Sequence, residues 1–117
     1  MIKQDISENR VNISYLSIGS NLGNKKRNIE KAKYLLEKNQ VKIIKTSSIY
    51  ETFSWPNKNH PKFYNVVVKI TTNLKPIKLF FIIKNIEKKL GRKKGKINDP
   101  RTCDIDILDY KGLNYTL

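Results

Sequence analysis

Two aspartates one residue apart, Asp104 and Asp106 in the run Asp-Pro-Arg-Thr-Cys-Asp-Ile-Asp-Ile-Leu at 99–108, have the types and spacing of a metal site. Side chains of a strand alternate between its faces, so residues two apart share one. Asp104 and Asp106 then point one way, while Cys103, Ile105 and Ile107 point the other, toward a core. Neighbouring carboxylates repel each other unless a cation sits between them. Hard oxygen donors suit Mg2+, which keeps several waters and shares phosphate oxygens. A pair of such ions would screen phosphate charge and orient attacking and leaving oxygens. Taken alone, the pair fits two solvated acids on a half-exposed edge strand better than a metal site. Arg101, three residues before Asp104, tilts the balance, because a guanidinium can grip the same phosphates with two hydrogen bonds.

Two further groups bear on a phosphate chemistry. Arg92, Lys93, Lys94 and Lys96, with Gly91 and Gly95 beside them, form a basic loop just before the aspartates. Such a loop can close over a polyphosphate and exclude water; charge alone fits a surface loop better, and the position just before the aspartates favours the lid. Phe63 and Asn65 sit two apart on a β-branched run and share a face. The ring can stack on a flat heterocycle while the amide reads its edge, or the two can be a core aromatic and a turn-facing amide. His60 has no His, Cys or acid at ligand spacing and reads as a surface residue. The glycines of 19–23 fit no phosphate-binding loop and read as the turn into the first helix.

These groups need positions, and the periodicity supplies them. Val11, Ile13 and Tyr15 alternate with polar residues, then Leu16 and Ile18 follow, a strand ending at Gly19. Residues 20–24 offer N-cap side chains. Ile29, Ala32, Leu35 and Leu36 recur at helical spacing from Lys25 to about Lys38. A second strand runs from Val41 through Thr46 to about Tyr50, residues 53–62 form a loop, and Phe63 to Thr72 form a third strand. Lys75-Pro76 opens a helix with buried Leu79, Ile83, Ile86 and Leu90, closed by Gly91. Thr102 to Tyr110 is the fourth strand. The order strand, helix, strand, strand, helix, strand predicts an α+β fold of ferredoxin-like βαββαβ type, a four-stranded antiparallel sheet with both helices on one face.

The 117 residues suit one domain, with residues 1–11 as a frayed polar leader and 12–117 folded. The balance of 24 basic against 10 acidic residues gives a net charge of +14, which fits an anionic partner or simply lysine-filled solvated faces. A single cysteine excludes an internal disulfide framework and suits a reducing compartment. Neither a signal peptide nor the roughly 18 apolar residues of a membrane span occurs, so a cytoplasmic protein away from membranes is expected.

Several segments, in order, resemble the 6-hydroxymethyl-7,8-dihydropterin pyrophosphokinases of folate biosynthesis. They are Tyr15-Leu16-Ser17-Ile18-Gly19-Ser20-Asn21-Leu22-Gly23, Thr46-Ser47-Ser48-Ile49-Tyr50-Glu51-Thr52, Phe63-Tyr64-Asn65-Val66-Val67-Val68, Ile86-Glu87 with Leu90-Gly91-Arg92, and Pro100-Arg101-Thr102-Cys103-Asp104-Ile105-Asp106-Ile107-Leu108. The resemblance implies transfer of pyrophosphate from ATP to the hydroxymethyl group of the pterin, with AMP released. It implies two Mg2+ ions on Asp104 and Asp106, and phosphates steadied by Arg92 and Arg101. It implies a pterin stacked on Phe63, hydrogen-bonded by Asn65 and edged by Thr52 and the backbone around Ser54 and Trp55. Lys84, Glu87 and Ile107, with Arg92 and Arg101, would contact ATP. A monomer acting on these two small molecules, with neither membrane nor nucleic acid as partner, is the expectation. Asn98-Asp99 stand where members often carry Trp-Gly, and the family normally continues beyond the fourth core strand with a further ATP-binding His and Arg. The reading is therefore of a domain lacking that extension. The alternatives are a truncated, inactive nucleotide-binding remnant and a basic RNA-binding module of ferredoxin-like fold. The third strand lacks the aromatic motif of the latter, and two acids on its sheet would repel a phosphate backbone.

Overall fold

The structure, a computed structural model, describes residues 11–54, 56–91 and 99–110. The expected leader therefore lies outside the described residues except for exposed Val11. Strand β1 (Asn12–Ser20) leads into helix α1 (Lys25–Lys38), then β2 (Val41–Thr46), β3 (Tyr50–Thr52), β4 (Phe63–Thr72), helix α2 (Pro76–Lys89) and β5 (Asp104–Tyr110). All pairings are antiparallel, in the order β2-β4-β1-β5, with β3 also on β4. This is the expected α+β, ferredoxin-like arrangement with one more strand than anticipated.

The extra strand comes from a break in what the sequence reads as one. β2 pairs with residues 68–72 of β4 and β3 with 63–65, so both use the same edge. Between them Ser47 keeps the ladder closed. Its N–H donates to the Val67 carbonyl at 2.9 Å, and its Oγ accepts from the Val67 N–H at 2.9 Å, replacing a backbone carbonyl. A serine can substitute its hydroxyl for a peptide group in this way and let the strand bend without orphaning a donor.

The helix boundaries follow from their caps. Asn24 Oδ1 accepts from the Arg27 N–H at 3.1 Å, after Gly23 has turned the chain at φ +74°. Pro76 occupies the first turn of α2, and Gly91 ends it at φ +95°, where a Cβ would be strained. Thr102 Oγ1 donates to the Leu90 carbonyl at 2.6 Å, fastening the end of α2 to the approach of β5.

One face of the sheet is covered by both helices. Leu16, Ile18, Val66, Val68, Ile70, Cys103, Ile105 and Tyr110 meet Ile29, Ala32, Leu36, Leu79, Ile83 and Ile86 in a continuous buried core. The stripe of α2 differs from expectation at one position: Leu90 is half-buried, and Glu87 is fully buried in its place. Residues 79, 83, 86 and 87 stand at i, i+4, i+7 and i+8, so the helical period puts this glutamate on the apolar face. β5 departs from simple alternation too. Its register with β1 slips by one residue after Ile107, a bulge at Leu108 that returns Tyr110 rather than Asp109 to the core. No helix among the described residues is long and apolar enough to cross a membrane.

Candidate active site

The uncovered face of the sheet bears a cleft of about 230 Å3 lined by Ser17, Gly19, Thr52, Phe53, Phe63, Asn65, Asp104 and Asp106. Its floor is set by register. Gly19 in central β1 is paired with Asn65 on one side and Asp104 on the other; Ser17, two residues earlier, is paired with Val67 and Asp106. Small residues in the middle strand leave a trough between an aromatic–amide wall on β3 and β4 and a carboxylate wall on β5. Gly19 is needed for room rather than for a turn: a Cβ there would stand 2.7 Å from Asn65 Oδ1 and 3.3 Å from Phe63 Cδ1. The expectation that Gly19 makes the turn into α1 is thus corrected; Gly23 does that. Roomier hollows of about 350 and 610 Å3 lie between Asn39 and α2 and along the β2 edge, but neither holds an aromatic or a pair of carboxylates.

Asn65 is held in place. Its Nδ2 donates to Thr52 Oγ1 at 3.0 Å and to the Tyr50 carbonyl at 3.4 Å, which leaves Oδ1 above Gly19. Phe53, 65% exposed beside the cleft, has the Lys62 ammonium 4.8 Å from its ring centroid. Across the trough, Arg101 Nη1 lies 3.3 Å from Asp104 Oδ2, both side chains about three-quarters buried. No third His, Cys, Asp or Glu joins the pair among the described residues. Mg2+, which retains waters and completes its shell with substrate oxygens, fits such a two-carboxylate site; an ion that needs an all-protein cage does not.

The structure brings Asp104, Asp106, Phe63, Asn65 and Thr52 into one cleft, with Arg101 at its edge. Ser54 does not line it: this residue is buried behind the wall, and its Oγ accepts from Asn21 Nδ2 and donates to the Pro61 carbonyl. Glu87, Lys84 and Ile107 also lie off the cleft. Glu87 Oε2 accepts the Ile105 N–H at 2.8 Å, and its Oε1 is 3.3 Å from Lys84 Nζ, placing both at the outer edge of β5; Ile107 packs against the core. Arg92, Trp55 and the basic residues of 92–98 lie outside the described residues. His60 is half-buried rather than on the surface, with Nε2 3.1 Å from Asn57 Nδ2. Ser17, Gly19 and Phe53 were not expected at the site. Same-face alternation from Ile13 finds the first two; nothing in the sequence turns Phe53 inward from its loop.

Residues 15–117 match the family model described as 7,8-dihydro-6-hydroxymethylpterin-pyrophosphokinase. The chain belongs to this family. It is 43% identical over 96 residues to a folic acid synthesis protein of Pneumocystis carinii, covering 82% of this chain and 13% of that protein. It is 43% identical over 97 residues to the 2-amino-4-hydroxy-6-hydroxymethyldihydropteridine pyrophosphokinase of Aquifex aeolicus, covering 83% of this chain and 60% of the relative. The Bacillus subtilis protein of the same name is 39% identical over 104 residues, 88% of this chain and 62% of that one. The chain thus spans about three-fifths of these bacterial pyrophosphokinases. The cleft with its two walls falls inside the matched region.

Proposed function

We propose that this protein transfers pyrophosphate from ATP to the hydroxymethyl oxygen of 6-hydroxymethyl-7,8-dihydropterin, with release of AMP, as a step of folate biosynthesis. The observation that carries this reading is the row Asn65–Gly19–Asp104 across three adjacent strands. Two strand spacings separate its ends by about 10 Å, a gap that a flat bicycle with a short hydroxymethyl arm can bridge. A pterin read by Asn65 at one wall then holds its hydroxyl at the other.

The residues divide the work accordingly. Phe63, and Phe53 beside it at the end of β3, offer ring faces for stacking, while Asn65 Oδ1 accepts from an N–H on the heterocycle edge. Thr52 keeps the amide from turning. Asp104 and Asp106 would hold Mg2+, which when bound supplies charge screening and alignment of the β-phosphoryl group with the attacking hydroxyl. Arg101 has further N–H donors for a phosphate beyond the one facing Asp104, and Arg92 is placed by the sequence to add another. The rest of the nucleotide would follow the outer edge of β5 past Lys84, Glu87 and Ile107. The hydroxymethyl oxygen forms a bond to the β-phosphorus as the bond from that phosphorus to the α,β-bridging oxygen breaks; AMP leaves with the bridging oxygen, and the hydroxyl proton is released to solvent. Such a transfer depends on positioning and electrostatics more than on covalent help from the protein.

The test is to incubate the protein with ATP, Mg2+ and the reduced hydroxymethyl-pterin and to follow AMP. AMP should appear only when all three are present. Equal AMP without pterin, or tight binding of single-stranded RNA with indifference to ATP, overturns the reading. Gly19→Ala gives a sharper check on the row. Its Cβ must displace the Asn65 amide, so the pterin KM should rise by roughly tenfold or more, the cost of one misdirected polar contact of about 1.4 kcal/mol. The KM for ATP should stay near that of the parent, because the carboxylate wall is not touched; an unchanged pterin KM would show that Asn65 does not read the substrate.

A further inference from the structure

Asn21 directly follows β1 and is 1% exposed, a polar side chain sealed inside the protein immediately behind the cleft. Burying an amide is unfavourable unless its hydrogen-bonding capacity is used. Here it is used in two opposite directions. Toward the carboxylate wall, Asn21 Oδ1 accepts the Arg101 N–H at 2.7 Å, and the Asn21 N–H donates to the Arg101 carbonyl at 3.0 Å. Toward the aromatic wall, Asn21 Nδ2 donates to Ser54 Oγ at 2.8 Å and to the Pro61 carbonyl at 3.1 Å. The partners lie 80 residues away in one direction and 33 and 40 in the other.

Neither partner segment has a strand ladder of its own at that point. Arg101 lies in the approach to β5, before its first paired residue, Asp104. Ser54 and Pro61 bracket the 53–62 loop, between Thr52, the last residue of β3, and Phe63, the first of β4. Each segment enters a strand whose first residues line the cleft. The backbone of each is fixed at its entry by the same amide group. We infer that Asn21 is a positioning residue that sets the separation of the two cleft walls, and with it the distance between bound pterin and the phosphates. The inference rests on the function proposed above. Asn21 itself lines no part of the cleft and acts only through Arg101, Ser54 and Pro61.

The amide is the one side chain of this size that offers an acceptor to Arg101 and two donors to the loop at once, which makes Asn21→Asp informative. The carboxylate keeps the acceptor for the Arg101 N–H. Its second oxygen, however, faces the Pro61 carbonyl, acceptor against acceptor, so that contact is lost, and Ser54 can meet the carboxylate only by turning its own hydroxyl away from Pro61. Asn21→Ala loses both sides. For Asn21→Ala the pterin KM should rise and kcat fall by about 10–100-fold each, the scale on which displacement by an ångström acts. For Asn21→Asp the pterin KM should rise comparably, while amide hydrogen exchange at Arg101 stays as slow as in the parent. A role confined to general stability would instead move exchange, KM and kcat together in both variants.

Parent KM and kcat in folded Asn21→Ala overturn the inference, as does a parent-like pterin KM in Asn21→Asp. If Asn21→Ala does not fold, Asn21→Asp alone decides by the same two readouts. If the parent itself makes no AMP, the proposed function fails and the clamp is decided by exchange and by quenching of the pterin's fluorescence on binding. Slow Arg101 exchange in Asn21→Asp with weakened pterin binding supports it; parent-like binding overturns it.

Discussion

Asp106→Asn is expected to slow AMP formation by roughly 1,000-fold or more, because the neutral amide no longer provides a carboxylate for the cation proposed to screen the phosphates. Asp106 is exposed and stands on the open face of β5, so the substitution should leave the unfolding midpoint near that of the parent. Asp104→Asn should lose a comparable factor. It differs in also removing the partner of Arg101 at 3.3 Å, and so adds a small loss of stability appropriate to a partly solvated pair. Titration with Mg2+ separates a metal role from a general electrostatic one: each variant should need more Mg2+ than the parent, and excess chelator should stop the parent entirely. Parent-like turnover in either variant, or parent activity in the presence of chelator, would remove the metal from the proposal.

Glu87→Ala is expected to cost about 2–4 kcal/mol of folding stability, the range for removing a buried acceptor that serves a backbone donor and an ion pair. Glu87 is 2% exposed, and its Oε2 is the acceptor for the Ile105 N–H on the outer edge of β5. Ile105 stands between the two aspartates, so the same glutamate satisfies the edge of β5 and holds the aspartate-bearing segment flat against the sheet. Glu87→Gln keeps an acceptor oxygen of the same reach and should recover half or more of the loss. Urea unfolding of the three proteins measures both quantities. A Glu87→Ala protein within about 0.5 kcal/mol of the parent would mean that the Ile105 amide finds another partner at little cost. The result also bears on the nucleotide contact the family resemblance implies for Glu87, since this carboxylate is already committed to the protein's own backbone.

Which parts of this were legible in the sequence follows a physical pattern. Both helices run to the expected ends, because capping is local: Asn24 and Gly23 start α1, and Pro76 and Gly91 bracket α2. The long strand β4 spans Phe63–Thr72 as expected, and Asp104 and Asp106 do share a face, because alternation is a property of the single strand. Alternation failed where two strands negotiate a register. The bulge at Leu108 depends on β1, and the break at 47–49 depends on Ser47 meeting Val67 twenty residues away. Glu87 illustrates a different failure: its helical position lies on the apolar stripe, but the expected stripe takes Leu90 instead, and only the Ile105 N–H on the edge of β5 explains why the glutamate is buried.

The sequence by itself determined the element order, the carboxylate pair with Arg101 before it, the Phe63–Asn65 pair and the family resemblance. Each rests on spacing along one stretch of chain. The tertiary structure decided that these pieces face each other, because strand order, not chain order, sets neighbours: β1 inserts between β4 and β5 and lays Gly19 and Ser17 as the floor between walls 39 residues apart in sequence at Asn65 and Asp104. It also decided the part given to Asn21, whose partners at 54, 61 and 101 come together only when the sheet has closed. A buried amide reveals its work through the groups it meets, and no local pattern names them.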